Sequence, residues 1–277
     1  MRVVADSASN LRKIEGIDGR IVPLRIILGD DKEYVDDENL DVEGMVTDLE
    51  NSGKPSHSAC PNIQEWLDAF GDEEEVIGIA LAAVLSGSYN AGATAAAQYM
   101  EEHPGRKVFI LDTCNIGPVE KLVIDKIVEL NNQGKDFDTI VEAIKDYCKN
   151  RLKIGFCLAS MNNLANNGRV NPAVAKIANV LGVKVVGDFS ETGVLQPSDK
   201  CRGYKKAIQT MVTKLKEAGY HGEKLYIDYV IDDTNALKFK EEVLKLFPNA
   251  EIKTEPTTAL CSFYAERGGL VWGYERN

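Results

Sequence analysis

Val76-Ile-Gly-Ile-Ala-Leu-Ala-Ala83, an unbroken apolar run, passes directly into Val84-Leu-Ser-Gly-Ser-Tyr-Asn-Ala-Gly92. The first segment reads as a buried strand, and the small-residue stretch Asn90–Glu102 reads as a helix. Between them, a tight turn carries the hydroxyls of Ser86 and Ser88 to the positive end of that helix, where backbone N–H groups lack intrahelical partners. Such a turn grips an oxyanion without catalytic machinery. The bland alternative is that both hydroxyls only cap the helix.

Working outward, short apolar strands alternate with helical patterns through the first half of the chain. Arg2–Ala5 is a strand that ends at Asp6-Ser7, and Ile21–Leu28 is another, carrying Pro23 as an edge-type proline. Val42–Asn51 reads as a helix, Lys54–Pro61 as a turn, and Asn62–Phe70 as a helix capped by Asn62. Val76–Ala83 and Lys107–Leu111 are strands, and two long helices follow at about 117–133 and 136–151. This alternation implies βαβ units, hence a mostly parallel sheet with helices on both faces. The second half changes character. Strands are expected at Ile154–Ala159, Lys184–Phe189, Leu195–Pro197, Lys224–Val230 and Ala250–Thr254, with helices near 160–166, 171–180, 203–218 and 234–247. Ser190-Glu-Thr-Gly193 is a hairpin signal that makes one pair antiparallel. The predicted fold is therefore α/β in two domains: an α/β/α domain over 1–152 and an α+β domain over 153–277.

Composition narrows the function. The chain has 277 residues, 44% of them apolar and 27% charged, with a net charge of −11. That is a soluble globular composition, and its acidity disfavours a nucleic-acid or anionic-membrane partner. The longest apolar run is about half of what a bilayer crossing needs. Immediate entry into a strand predicts no secretory leader, so a cytoplasmic location is expected. Six cysteines form no Cys-x-x-Cys pair and three histidines share no ligand-like spacing, so neither a zinc site nor a disulfide framework is expected. Phosphate-loop, dinucleotide, zinc-protease and nucleophile-elbow motifs are all absent. Asp6 and Asp112 end parallel strands, where ligands gather, but each can instead cap a neighbouring helix, and neither is expected to be catalytic.

Five segments carry a resemblance: Asp6-Ser-Ala-Ser-Asn-Leu11, Pro55-Ser-His-Ser-Ala-Cys-Pro61, Leu85-Ser-Gly-Ser-Tyr-Asn-Ala91, Leu164-Ala-Asn-Asn-Gly-Arg-Val170 and Gly193-Val-Leu-Gln-Pro-Ser-Asp-Lys-Cys-Arg-Gly203. In this order the chain resembles, from end to end, the DegV family of bacterial fatty-acid-binding proteins. The resemblance implies a long-chain fatty acid in a tunnel between the two domains, with its carboxylate presented to a separate fatty acid kinase. No reaction by the protein itself, and no cofactor, is implied. The physics is compatible: at about 0.8 kcal/mol per buried CH₂, some fifteen methylenes contribute on the order of 10 kcal/mol before ordering costs.

Carried over residue by residue, the resemblance assigns the head group to Ser58, Ser86 or Ser88, and Tyr264. Departures accompany it. Where the family has Thr-Ser-Gln-Pro this chain has Ser58-Ala-Cys-Pro61, and Ala82-Ala83 replaces a pair of serines. Tyr264 stands at the position of a histidine, and a phenol donates a hydrogen bond without adding positive charge near neutral pH. Arg169 and Arg202 are candidates for facing a phosphate or the partner; for Arg169 the alternative is an interdomain salt bridge. Two other functions stay open: a diverged module with a different small ligand or a narrowed pocket, and a cleft hydrolase or phosphotransferase, which would need a base beside Ser86 or Ser88.

Overall fold

Strands β1 (Arg2–Asp6), β2 (Asp18–Val22), β6 (Glu75–Ala80) and β7 (Lys107–Asp112) form one sheet, ordered β2-β1-β6-β7, in which every neighbouring pair is parallel. The computed structural model describes residues 1–173 and 182–276. Both faces of this sheet are covered, which explains why β6 reads as a continuous apolar run rather than an alternating one. On one face Val4, Val22, Val76 and Ile110 pack with Trp66, Phe70 and Tyr99, carried by α2 (Ile63–Phe70) and α3 (Ser88–Glu102). On the other, Val3, Ala5, Ile77 and Ile79 join a larger core that includes α4 (Pro118–Asn132) and α5 (Phe137–Asp146).

A second sheet of six strands is mixed. Its order is β10 (Leu195–Arg202), β9 (Val183–Phe189), β8 (Leu152–Leu158), β13 (Leu270–Glu275), β11 (Leu225–Tyr229), β12 (Ile252–Pro256), and only the β11–β12 pair is parallel. The β9–β10 hairpin turns at the predicted place, and its Gly193 has φ of +87°. A Cβ there would meet the Ala82 Cβ at 2.7 Å, so only glycine lets this hairpin close against the loop after β6. Helices α7 (Gly203–Glu217) and α8 (Thr234–Leu246) cover one face, burying Met211, Phe239 and Trp272. The other face meets α4, which touches β6 on one side and β8, β11 and β13 on the other. A helix sandwiched between two sheets must be apolar around most of its circumference, and Val119, Leu122, Val123, Ile124 and Ile127 are all buried.

Several expectations are corrected. Ile21–Leu28 is not one strand: it breaks at Pro23, which has no N–H for a ladder, and the Leu24 N–H turns away to the Ser7 hydroxyl at 3.0 Å. The second piece, β3 (Arg25–Leu28), belongs instead to a small antiparallel sheet with β4 (Lys32–Val35) and β5 (Ser56–Ala59). The expected turn Lys54–Pro61 thus contains a strand. The run Val76–Ala83 leaves the sheet at Ala80, because the Ala82 and Ala83 N–H groups bond to the Asn115 carbonyl and the Asp112 side chain. The second long helix ends at Asp146 and is followed by a wider π-turn over Tyr147–Arg151. The central strand β13 and the short helix α9 (Ala259–Ala265) lie where no element was expected. Of the helix expected over 171–180, residues 174–180 lie outside the described residues.

Candidate functional site

Between the lobes lies an apolar cavity with about 640 Å³ of empty space including its mouth. Its walls come from every layer: Leu24, Leu81 and Leu85 from the first lobe, Ile116 ahead of α4, Phe156 and Leu158 of β8, Leu164 of α6 (Asn162–Asn166), Phe189 and Leu195 of the hairpin, and Leu260 and Val271. Little of this space is wide enough for a water molecule, so it is a slit rather than a chamber. Gly187 of β9 leaves room for one wall residue: a Cβ there would stand 2.4 Å from the Phe156 ring and 2.5 Å from the Gln196 carbonyl.

The polar residues of the lining are Ser58, Ser86, Arg169 and Tyr264. Ser58 is displayed by β5, where it pairs in register with Ile26 of β3. Its hydroxyl lies 2.7 Å from the Tyr264 hydroxyl, and either oxygen can be the donor. Tyr264 is held by the anchoring of α9 at both ends. Asp36, buried just past β4, accepts from the Ala259 N–H (2.8 Å), the Leu260 N–H (3.2 Å) and the Thr258 hydroxyl (3.1 Å). A carboxylate at a helix N-terminus satisfies groups the helix leaves unpaired. At the other end the Asn163 side chain donates to the Phe263 carbonyl at 2.8 Å, tying α9 to α6.

Ser86 sits one residue before the N-cap Gly87 of α3, and its hydroxyl accepts the Ser88 N–H at 3.2 Å. It therefore caps the helix locally while also lining the cavity. Arg169 reaches the same loop: its Nε donates to the Leu85 carbonyl at 2.9 Å, and another guanidinium nitrogen donates to the Asn167 carbonyl. Among the described residues it has no carboxylate partner, so the interdomain salt bridge is not what this arginine makes. It holds the Ser86 loop through neutral carbonyls, and no described carboxylate neutralises its charge beside the apolar slit.

Ser88 and Arg202 are not brought to the cavity. Ser88, two residues beyond Ser86, is fully buried and donates to Asp6 Oδ2 at 2.6 Å. Burial raises the Asp6 pKa to about 7, against the lowering effect of donors from Ser88, Leu81 and Ala8. A serine bonded to a carboxylate with that pKa has the outline of a nucleophile and its base. This pair, however, is sealed from solvent and lines no part of the cavity. Asp6 also caps the short 3-10 helix Ser7–Ser9, as the capping alternative has it, whereas Asp112 caps no helix and instead accepts the Ala83 and Cys114 N–H groups of two loops. Arg202 is exposed at the end of the edge strand β10. None of the three histidines lines the cavity. Among the described residues no cluster of three or more His, Cys, Asp or Glu side chains could hold a metal ion, and no helix is long and apolar enough to cross a membrane.

Sequence reasoning missed the cavity's apolar half, Cys261 of α9, and the Asp36 anchor. Asp36 gave no signal because the helix it anchors is more than two hundred residues away.

Known proteins share this fold. A family profile described as uncharacterised protein, DegV family, matches residues 1–275. A DegV domain-containing protein of Streptococcus pneumoniae is 35% identical over 278 residues, spanning 99% of this chain and 98% of that protein. Among solved structures, a DegV family protein from Eubacterium eligens loaded with heptadecanoic acid superposes with a TM-score of 0.97 at 38% identity, covering 100% of both chains. The Streptococcus pneumoniae fatty acid kinase (Fak) B3 protein loaded with linoleic acid gives a TM-score of 0.96 at 34% identity, covering 100% of this chain and 99% of that one. The chain belongs to the DegV family.

Proposed function

We propose that this protein binds a long-chain fatty acid in the interlobe cavity and presents its carboxylate to a separate fatty acid kinase, acting as a carrier rather than as an enzyme. One observation carries the reading: an apolar slit that ends in two paired hydroxyls, Ser58 and Tyr264, a third hydroxyl, Ser86, and a guanidinium without a carboxylate partner among the described residues. Apolar walls favour an acyl chain in proportion to the methylenes they cover, and the slit, too narrow in most of its space for a water molecule, parts by side-chain rotation to admit one. The polar end keeps the carboxylate from being buried unpaired. Two similar proteins loaded with heptadecanoic and linoleic acids support the ligand class, and the second, a fatty acid kinase B3 protein, supports the kinase. Arg202, exposed on an edge strand away from the slit, is the residue we assign to the kinase-facing surface.

The test uses the full chain stripped of lipid. Titration with a C16–C18 acid should show saturable binding at one site per chain. With ATP alone no acyl phosphate should form, and with an acyl kinase added it should form only when this protein is present. Turnover by the protein alone would contradict the carrier reading, and failure to bind would contradict the ligand.

A further inference from the structure

Phe189 lines two cavities at once. It is part of the apolar slit, and it also borders a second, polar cleft of about 1210 Å³ that includes open solvent. The cleft is walled on the far side of the ring by Ser190, Lys149, Lys153 and Arg276. Strand β8 gives the direction. Leu158, at its C-terminal end, lines the slit with Leu164 and Arg169, whereas Leu152, Lys153 and Ile154, at its start, line the polar cleft. The slit thus runs from the hydroxyl and guanidinium end back along β8 to Phe156 and Phe189. The two rings stand edge to face, centroids 6.1 Å apart, and Phe189 pairs in register with Leu195 of the same wall.

We propose that Phe189 is the stop that sets the longest acyl chain this protein accommodates, separating the methyl end of the ligand from the polar cleft. The proposal rests on the fatty-acid reading of the slit. Up to the ring, each added methylene is buried, and affinity should rise about four-fold per carbon. Past it, methylenes would enter an open space of mixed lining, where Lys149, Lys153, Glu191 and Arg276 stand among apolar carbons, and each added carbon gains less.

The experiment measures dissociation constants of the delipidated full-length protein for saturated acids from C12 to C22, with Phe189→Ala and Phe189→Trp in parallel. The wild-type series should rise with length and then level off or fall. Phe189→Ala should move that break to acids longer by about three or four carbons, the span a lost ring opens, and Phe189→Trp should move it to shorter ones. Phe189→Leu, which keeps an apolar side chain in the hairpin, should move the break in the same direction as alanine by fewer carbons, so a misfolded alanine variant does not end the test. An unchanged break in folded variants that still bind acids would overturn the stop while leaving the fatty-acid reading standing. No binding of any acid by wild type or variants would overturn both.

Discussion

Two polar clusters bridge the lobes, and they are built on opposite plans. In the first, Lys121 of α4 donates to Asp228 of β11 at 2.9 Å and to Glu255 at 2.6 Å; Asn10 donates to the other Asp228 oxygen at 2.6 Å; and the Thr258 N–H donates to Asn10 at 3.0 Å. Lys121 and Asp228 are almost wholly buried, and each has its partners inside the protein. In the second, at the mouth of the slit, two hydroxyls hold one another, a third caps a helix, and among the described residues a guanidinium meets only carbonyls. The first cluster is saturated and fastens the lobes. The second retains unused hydrogen-bonding capacity and charge beside apolar walls, which is what a site for an acid requires.

The largest effect should come from breaking the fastener. Asp228→Ala leaves Lys121 buried with only the half-exposed Glu255, and a loss of about 3–5 kcal/mol in unfolding free energy is expected by denaturant titration. A loss below about 1 kcal/mol would mean that the cluster is not the fastener described here.

Next in size is a pH effect seated near neither mouth. Asp6 is protonated more readily in the folded chain, its pKa standing at about 7 against an ordinary 3.8. Glu120, also fully buried, is pushed well above its ordinary value by burial and then by Asp6, Asp112 and Asp228. A carboxyl raised on folding binds more protons in the native state, so its stabilising contribution is complete below its unfolded pKa and is lost as pH climbs through the folded one. Stability should therefore fall between about pH 4 and 7, with Asp6 contributing on the order of 4 kcal/mol of that fall. Asp6→Asn should flatten the pH profile of the thermal midpoint, and an unaltered slope would contradict the assignment.

The smallest effects belong to the slit, and they separate its members. Arg169→Gln removes a charge-assisted contact and should weaken acid binding roughly 10- to 100-fold, from about 1.5–3 kcal/mol. Tyr264→Phe removes a neutral donor and should weaken it about five-fold, from about 1 kcal/mol. Neither should move the unfolding midpoint as Asp228→Ala does. Ser88→Ala, by contrast, should leave acid binding unchanged, because that hydroxyl is committed to Asp6.

Legibility followed the same divide between local and distant causes. Three strands of the parallel sheet, β1, β6 and β7, were readable because each carries its own apolar run; the edge strand β2, Asp18-Gly-Arg-Ile-Val22, carries none and owes its state to pairing with β1. Strand β5 was not: Ser56-His-Ser-Ala59 has the composition of a turn between prolines, and its strand state comes from pairing with β3. The hydroxyl turn was readable as a turn, but Ser86 and Ser88 could not be told apart from sequence. Which of them faces the slit is decided by Asp6, some eighty residues earlier in the chain. Tyr264 and Ser58, two hundred residues apart, were joined only by the family pattern, and Arg169 lacked any sequence sign that its partners would be carbonyls.

The central claim is that a slit ending at Ser58, Tyr264, Ser86 and Arg169 holds an acyl chain. Organic extraction of the protein purified from a bacterial host, followed by mass spectrometry, tests it most directly. A long-chain fatty acid at close to one per chain, sharply reduced in Arg169→Gln, is the expected result. An extract holding no fatty acid, from a folded protein that also fails to take one up when offered, would contradict the account.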